Sequence, residues 1–146
     1  MATSRKINHI VIHTTATAPD ASIQSIKNHW NSLGWKNYGY HIIVDASGEI
    51  TLLTPLEKIA NGVKGHNATS IHVAYIGGLK DGKYLDTRTL VQKIALRSTI
   101  KILKKMFQFA EILGHRDLSP DLNGDGKITP DEWVKLCPLF NVKDEF

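Results

Sequence analysis

Three short segments far apart in the chain carry metal-ligand chemistry: IVIH ending at His13, LGHRD around His115, and KLCP around Cys137, the only cysteine. Two imidazoles and a thiolate leave the fourth position of a tetrahedral zinc ion open to water. An open position separates catalytic zinc sites from closed structural ones. No two of these ligands form a local pair, so the fold must bring them together. A second ligand run is local. Asp121, Asn123 and Asp125 stand at positions 1, 3 and 5 of a twelve-residue stretch, with Gly126 at 6, the Lys127 carbonyl at 7 and Glu132 at 12. That pattern is the oxygen set of an EF-hand calcium loop. The same stretch also reads as a polar insertion in which Thr129 and Glu132 form a capping box over Pro130. The two uses are compatible. Ser119-Pro120 blocks an entering helix, so the loop over 121–132 is EF-hand-like and unpaired, and is expected to bind Ca2+ as a structural staple.

The elements that must position these residues follow from periodicity and punctuation. His9 to His13 is β-branched and apolar, a buried strand. Asp20 is expected to cap a helix with Ile23, Ile26, Trp30 and Leu33 on one face, and Gly34 to stop it. Tyr40 to Val44 and Glu49 to Leu53 flank Asp45-Ala46-Ser47-Gly48, a hairpin signal. Leu56 to Asn67 reads as irregular loop, and Ser70 to Ile76 as a strand closed by Gly77-Gly78. A long amphipathic helix is expected from Asp86 or Thr87 to Met106, with Leu90, Val91, Ile94, Ile100, Leu103 and Phe107 toward the core. Glu111 to Gly114 reads as a short strand that delivers His115. A last helix, Pro130 to about Leu136, is expected to lead into Cys137. Alternating strands and helices predict an α/β fold, a single-domain mixed β-sheet flanked by helices. Ligands just past strand ends then meet at one edge of the sheet.

Length and composition bound the reading. The 146 residues are one domain's worth, enough to bury roughly 70% of the surface an unfolded chain exposes. One cysteine cannot form an internal disulfide. No stretch approaches the roughly 20 apolar residues of a membrane-spanning helix, so no membrane insertion is expected. The N-terminal segment MATSRKINHIVIH lacks an apolar signal-peptide core, which predicts synthesis in the cytoplasm without a signal peptide. The net charge of +4 gathers on Lys93, Arg97, Lys101, Lys104 and Lys105, a helical pattern that reads as a solvated face. No aromatics interleave with these cations as a nucleic-acid groove requires. Two methionines in all argue against the Met-rich groove of a calcium sensor.

IVIHTTAT, YGYHIIV, HNATSIHVAYIGG, LGHRD and KLCP occur in the order found in zinc N-acetylmuramoyl-L-alanine amidases. The chain resembles the bacteriophage-lysozyme and peptidoglycan-recognition members of that family, the type 2 amidases, from about Ile7 to Phe140. The resemblance implies that His13, His115 and Cys137 are the zinc ligands and that Tyr40 and Lys135 are catalytic. It implies the peptidoglycan-recognition/amidase-type fold, peptidoglycan as partner, and cleavage of the amide between N-acetylmuramic acid and L-alanine of the stem peptide. Zinc lowers the pKa of its bound water and polarises the carbonyl. A lysine ammonium and a tyrosine hydroxyl suit a developing oxyanion, and the departing amine takes a proton from Tyr40 or from that water. With no wall-binding domain and no export signal, the reading is a monomeric phage or prophage endolysin that meets the wall after release. The alternative is a non-catalytic peptidoglycan-binding module on the same fold, and the presence of Cys137 speaks against it.

The remaining candidates divide between packing and substrate. His9 reads as structural, His29 as surface, and His41 as a core histidine facing away from Tyr40 by strand alternation. His72 stands where the family pattern commonly has a glycine, and related amidases often carry a histidine near Gly62. His66, Asn67 and Trp35 are candidate substrate contacts, and Trp133 reads as core or hinge packing.

Overall fold

Apolar and β-branched residues form the short strands and amphipathic runs the two helices in a computed structural model that describes residues 5–146. Met1–Ser4, the start of the segment read above for a signal peptide, lie outside the described residues. In chain order the elements are β1 (His9–Thr14), α1 (Ile23–Ser32), β2 (Ile42–Val44), β3 (Ile50–Leu52), β4 (Ser70–Tyr75), β5 (Leu79–Lys80), β6 (Lys83–Tyr84), α2 (Leu90–Met106) and β7 (Glu111–Gly114). The main sheet has the order β3-β2-β4-β1-β7, and β5 and β6 form a separate small hairpin. β2, β4, β1 and β7 run parallel, and only β3 is antiparallel to its neighbour. The mixed sheet with a helix on each face is the α/β architecture that the alternation predicts.

Strand alternation gives the sheet two different faces. On one, Ile10, Ile12, Ile71, Val73, Ile42 and Val44 pack against Ala95, Leu96, Ile100 and Leu103 of α2. Each fully buried side chain of this set contributes about 1.5–3 kcal/mol over an exposed one. On the other, Ile43 and Ala74 meet Ile26 and Trp30 of α1, while Val11 packs with Val63 and Leu113. Val11 lies opposite His72 and Leu113, and His13 opposite Ala74, so His13 and His72 share this second face. His115 follows Gly114 two positions beyond Leu113 and continues the same alternation.

Four local expectations are corrected. Ser22, not Asp20, caps α1, its hydroxyl accepting the Ser25 N–H at 3.0 Å. The strand expected from Tyr40 covers only Ile42–Val44. His41 is a core histidine, but its ring lies alongside His72, 5.8 Å between centroids, where its Nδ1 accepts the His72 backbone N–H. α2 starts at Leu90, capped by Thr89; Ile100, Leu103 and Phe107 face the core as expected, but its first turns present a different face. Leu90, Val91 and Ile94 are 74, 49 and 55% exposed, whereas Gln92 is fully buried. Gln92 Nε2 donates to the carbonyls of Val44 and Ile76 at 3.1 and 3.0 Å, and its Oε1 takes the Thr89 N–H. These three bonds satisfy the buried Gln92 carboxamide and hold it at a core position, although the Val44 carbonyl also accepts the Ile76 N–H at 2.9 Å.

The last helix does not form beyond a single 3-10 turn, Pro130–Glu132. Trp133 returns to extended backbone under the Arg116 guanidinium, which lies 3.9 Å from its ring centroid. The Val134 N–H goes to Ser119 Oγ at 3.0 Å instead of to a helical carbonyl. Pro138 also disfavours helical geometry at Cys137. Among the described residues, no helix is long and apolar enough to cross a membrane.

Candidate active site

β1 ends in a buried His13, and β7 runs out into His115 on the adjacent strand; their ring centroids are 5.0 Å apart. Cys137 arrives from the far end of the chain and is held by its neighbours. The Arg116 N–H donates to the Cys137 carbonyl at 2.9 Å, and the Tyr75 hydroxyl donates to the Pro138 carbonyl at 2.8 Å. Beyond Phe140, Arg88 ties the C-terminal segment down: it bonds Asp86 and Glu145 at 2.8 and 2.7 Å and stacks over the Phe140 ring.

The ligand atoms of His13, His115 and Cys137 all lie within 4.8 Å of one another. Cys137 Sγ is 3.7 Å from His13 Nδ1. Zinc–sulfur and zinc–nitrogen bonds at a tetrahedral angle give an edge of about 3.6 Å. The donor set therefore fits zinc, with His13 presenting Nδ1. Burial, with the neighbouring histidines, holds His13 well below the ordinary imidazole pKa. Burial and then Lys135 bring His115 down to about 4. Both are neutral at pH 7, the form a metal would need. Burial pushes the Cys137 thiol up to about 12, against the Thr14 N–H that donates to Sγ at 3.2 Å. A divalent cation supplies the charge that a buried thiolate needs.

Tyr40 and Lys135 come to the same place. The Tyr40 ring sits 5.1 Å from that of His13, and its hydroxyl donates to the Thr14 carbonyl at 3.3 Å. Burial and the nearby Cys137 raise its pKa, so it stays protonated. Trp30 of α1 backs it edge-on at 5.4 Å. Gly39 lets the chain cross that indole, because a Cβ there would lie 3.0 Å from the ring. Lys135 is exposed where a 230 Å³ pocket over the three ligands opens into a groove of 930 Å³. Trp35, His66 and Asn67 line that groove, with Asn61–Gly65 on one bank and Leu118–Pro120 on the other. Asn67 has a second commitment: its Oδ1 accepts the Val63 N–H at 2.8 Å and lies 2.9 Å from His72 Nε2.

His72 was marked by sequence reasoning only as an anomaly in its strand and was given no place at the site. It is fully buried, with Nδ1 2.9 Å from His13 Nε2, and burial followed by His41 and His115 brings its pKa down to about 3. A Cβ on Gly62 would fall 2.2 Å from His72 Nδ1. The imidazole occupies the room that the glycine leaves. Alternation along β4 was the available signal, because it puts His72 on the face of His13. Arg116 was also missed as the clamp on the Cys137 segment.

The acidic loop lies apart from this centre. Asp121, Asp125 and Glu132 bring carboxylate oxygens within 4.8 Å of one another. Asp121 accepts the N–H groups of Gly124 and Gly126, Asn123 that of Asp125, and Asp125 that of Lys127. Glu132 is buried, takes the N–H groups of Leu122, Asn123 and Thr129, and completes the capping box with Thr129. These bonds hold its pKa low, Thr129 foremost.

Two imidazoles and a thiolate at strand ends beside an open groove form a cluster that could hold a metal ion on a mixed α/β sheet. The model of the N-acetylmuramoyl-L-alanine amidase family matches residues 3–132, and the chain belongs to that family. An uncharacterised protein of Haemophilus influenzae is 46% identical over 86 residues, covering 58% of this chain and 74% of its own. The endolysin of Klebsiella phage KP32 is 28% identical over 142 residues, 95% of this chain and 85% of that one. In fold, the N-acetylmuramoyl-L-alanine amidase LysC of Clostridium intestinale superposes with a TM-score of 0.74 at 21% identity, covering 97% of this chain and 82% of its own.

Proposed function

We propose that this N-acetylmuramoyl-L-alanine amidase is a phage or prophage endolysin. It works with one zinc ion on His13, His115 and Cys137, assisted by Tyr40 and Lys135. The observation that carries the reading is the convergence of the three ligand atoms, from three remote segments, at the mouth of one groove. Zinc supplies an acidified water and an electrophile for the carbonyl. The groove holds the glycan–peptide junction between the 61–67 bank and Leu118–Pro120, with Trp35, His66 and Asn67 as substrate contacts. As water adds to the lactyl carbonyl, the Lys135 ammonium and the Tyr40 hydroxyl stabilise the oxyanion. The C–N bond then breaks, and the L-alanine amine leaves with the proton that the attacking water gives up, passed to it directly or through Tyr40, which regains its own proton from that water.

The whole chain acts as a single zinc amidase domain, and the 121–132 loop binds calcium through Asp121, Asn123, Asp125, the Lys127 carbonyl and Glu132. The sequence pattern and the convergence of three carboxylates support that part. Zinc content of the purified protein, together with dye release from cell walls and identification of the new chain ends, tests the main reading. New L-alanine N-termini with stoichiometric zinc are expected. New reducing sugar ends, or hydrolysis that persists in the fully chelated protein, would refute it.

A further inference from the structure

The hydrogen bonds behind His13 have a direction that the geometry fixes. Asn67 Oδ1 faces the backbone N–H of Val63 at 2.8 Å, and a backbone N–H can only donate. The carboxamide therefore presents oxygen, not nitrogen, to His72 Nε2, 2.9 Å away. His72 must carry its proton on Nε2, which leaves Nδ1 as a bare acceptor. That acceptor lies 2.9 Å from His13 Nε2, so His13 donates from Nε2 and keeps the Nδ1 lone pair free. Nδ1 is the atom 3.7 Å from Cys137 Sγ. One backbone amide thus fixes, through a side-chain amide and a second imidazole, which nitrogen of His13 is offered to a metal.

We infer that His72 is a positioning residue for the metal centre, setting the tautomer and ring orientation of His13, with Gly62 providing the room that it occupies. The inference rests on the zinc reading of His13 given above. Metal-bound histidines ordinarily donate their second nitrogen to a carboxylate, a backbone carbonyl or water. Here a neutral imidazole takes that place. It is held by three further contacts. His72 Nε2 bonds Asn67, its backbone N–H goes to His41 Nδ1, and its ring stacks on the His41 ring at 14°. His41 is pinned in turn, its Nε2 lying 2.7 Å from the Lys58 carbonyl. Gly62 lacks the positive φ that side chains rarely adopt, and the nearest atoms a methyl group there would meet are those of the His72 ring.

The test reads metal affinity and tautomer, not turnover. In wild-type protein, long-range nitrogen–proton NMR on the histidine rings should find the proton on Nε2 of both His13 and His72, with and without zinc. A proton on Nδ1 of either ring overturns the inference without any substitution being made. His72→Leu keeps bulk but removes the acceptor, and should weaken zinc binding by roughly 10–100-fold in chelator competition. His72→Asn places an amide oxygen near the Nδ1 position and should recover most of that loss. Gly62→Ala, which displaces the ring without altering it, should weaken zinc in the same direction as His72→Leu. Unchanged zinc affinity in His72→Leu, or equal losses in the Leu and Asn variants, would reduce His72 to packing and overturn the proposal. A wild-type protein that binds no zinc at all would refute the metal reading itself, and the inference with it.

Discussion

His13 and His115 hang from adjacent strands of the sheet and meet a cysteine 124 and 22 residues further along the chain, whereas Asp121, Asp125 and Glu132 belong to one twelve-residue run. Around the first group the polar atoms point inward onto a few buried partners: Thr14 to the sulfur, His72 to the imidazole, Asn67 behind it. Around the second, Asp121 and Asp125 are exposed and their oxygens already accept backbone N–H groups of the same loop. The centre made from remote residues depends on the whole fold. The local loop is complete as a set of turns and a capping box, so an ion there adds to a structure that stands without it.

Substitutions should divide along that line. Cys137→Ser removes one of three protein ligands and leaves a hydroxyl that is a poor zinc ligand at neutral pH. Wall hydrolysis and zinc content should both be lost while the circular dichroism spectrum is kept. Hydrolysis at the normal zinc content in this variant would refute the ligand assignment. Tyr40→Phe and Lys135→Ala should hold zinc yet lose rate by roughly 10²–10³, as other oxyanion donors do. Full activity in both would show that their nearness to the metal pocket has no chemical use.

Acid should expose the same difference in the metal-free protein. His41 and His115 lie near pKa 4 and His72 near 3 in the fold, because burial disfavours their charged forms. An unfolded chain takes these protons from about pH 6.5 downward. Stability is therefore full above that value and falls as the pH drops through about 4, by on the order of 10 °C in melting temperature. A flat profile from pH 7 to 4 would mean that the histidines are not held neutral. The smallest effect belongs to the loop. Calcium at ten times its Kd should add about 1.4 kcal/mol, a few degrees of melting temperature, with magnesium adding much less. Asp121→Ala should remove that shift. Titration with no thermal shift and no heat would leave the segment as capped turns alone.

What was legible in the sequence follows from which forces act locally. The strand carrying His13 was readable from its β-branched run, and the short one before His115 from Ile112-Leu113 closed by Gly114. The inward face of the first turns of α2 was not, because Gln92 takes a core position against the carbonyls of Val44 and Ile76, which no local pattern displays. The helix before Cys137 failed for a related reason: Ser119 and Arg116, from another segment, satisfy that backbone and cover Trp133. His72 was visible as an anomaly in a strand, but its use depended on a glycine ten positions earlier and an amide five positions earlier.

The span from His13 to Cys137 also has a meaning in time. At typical synthesis rates of about 5–20 residues per second, roughly 6–25 s separate the first ligand's appearance from the last. Until then no chain on a ribosome has the thiolate, and a nascent or prematurely ended copy carries two histidines at a strand edge and no complete centre. With zinc held as proposed, a chain becomes competent only when the segment that carries Cys137 has folded back onto the first strand.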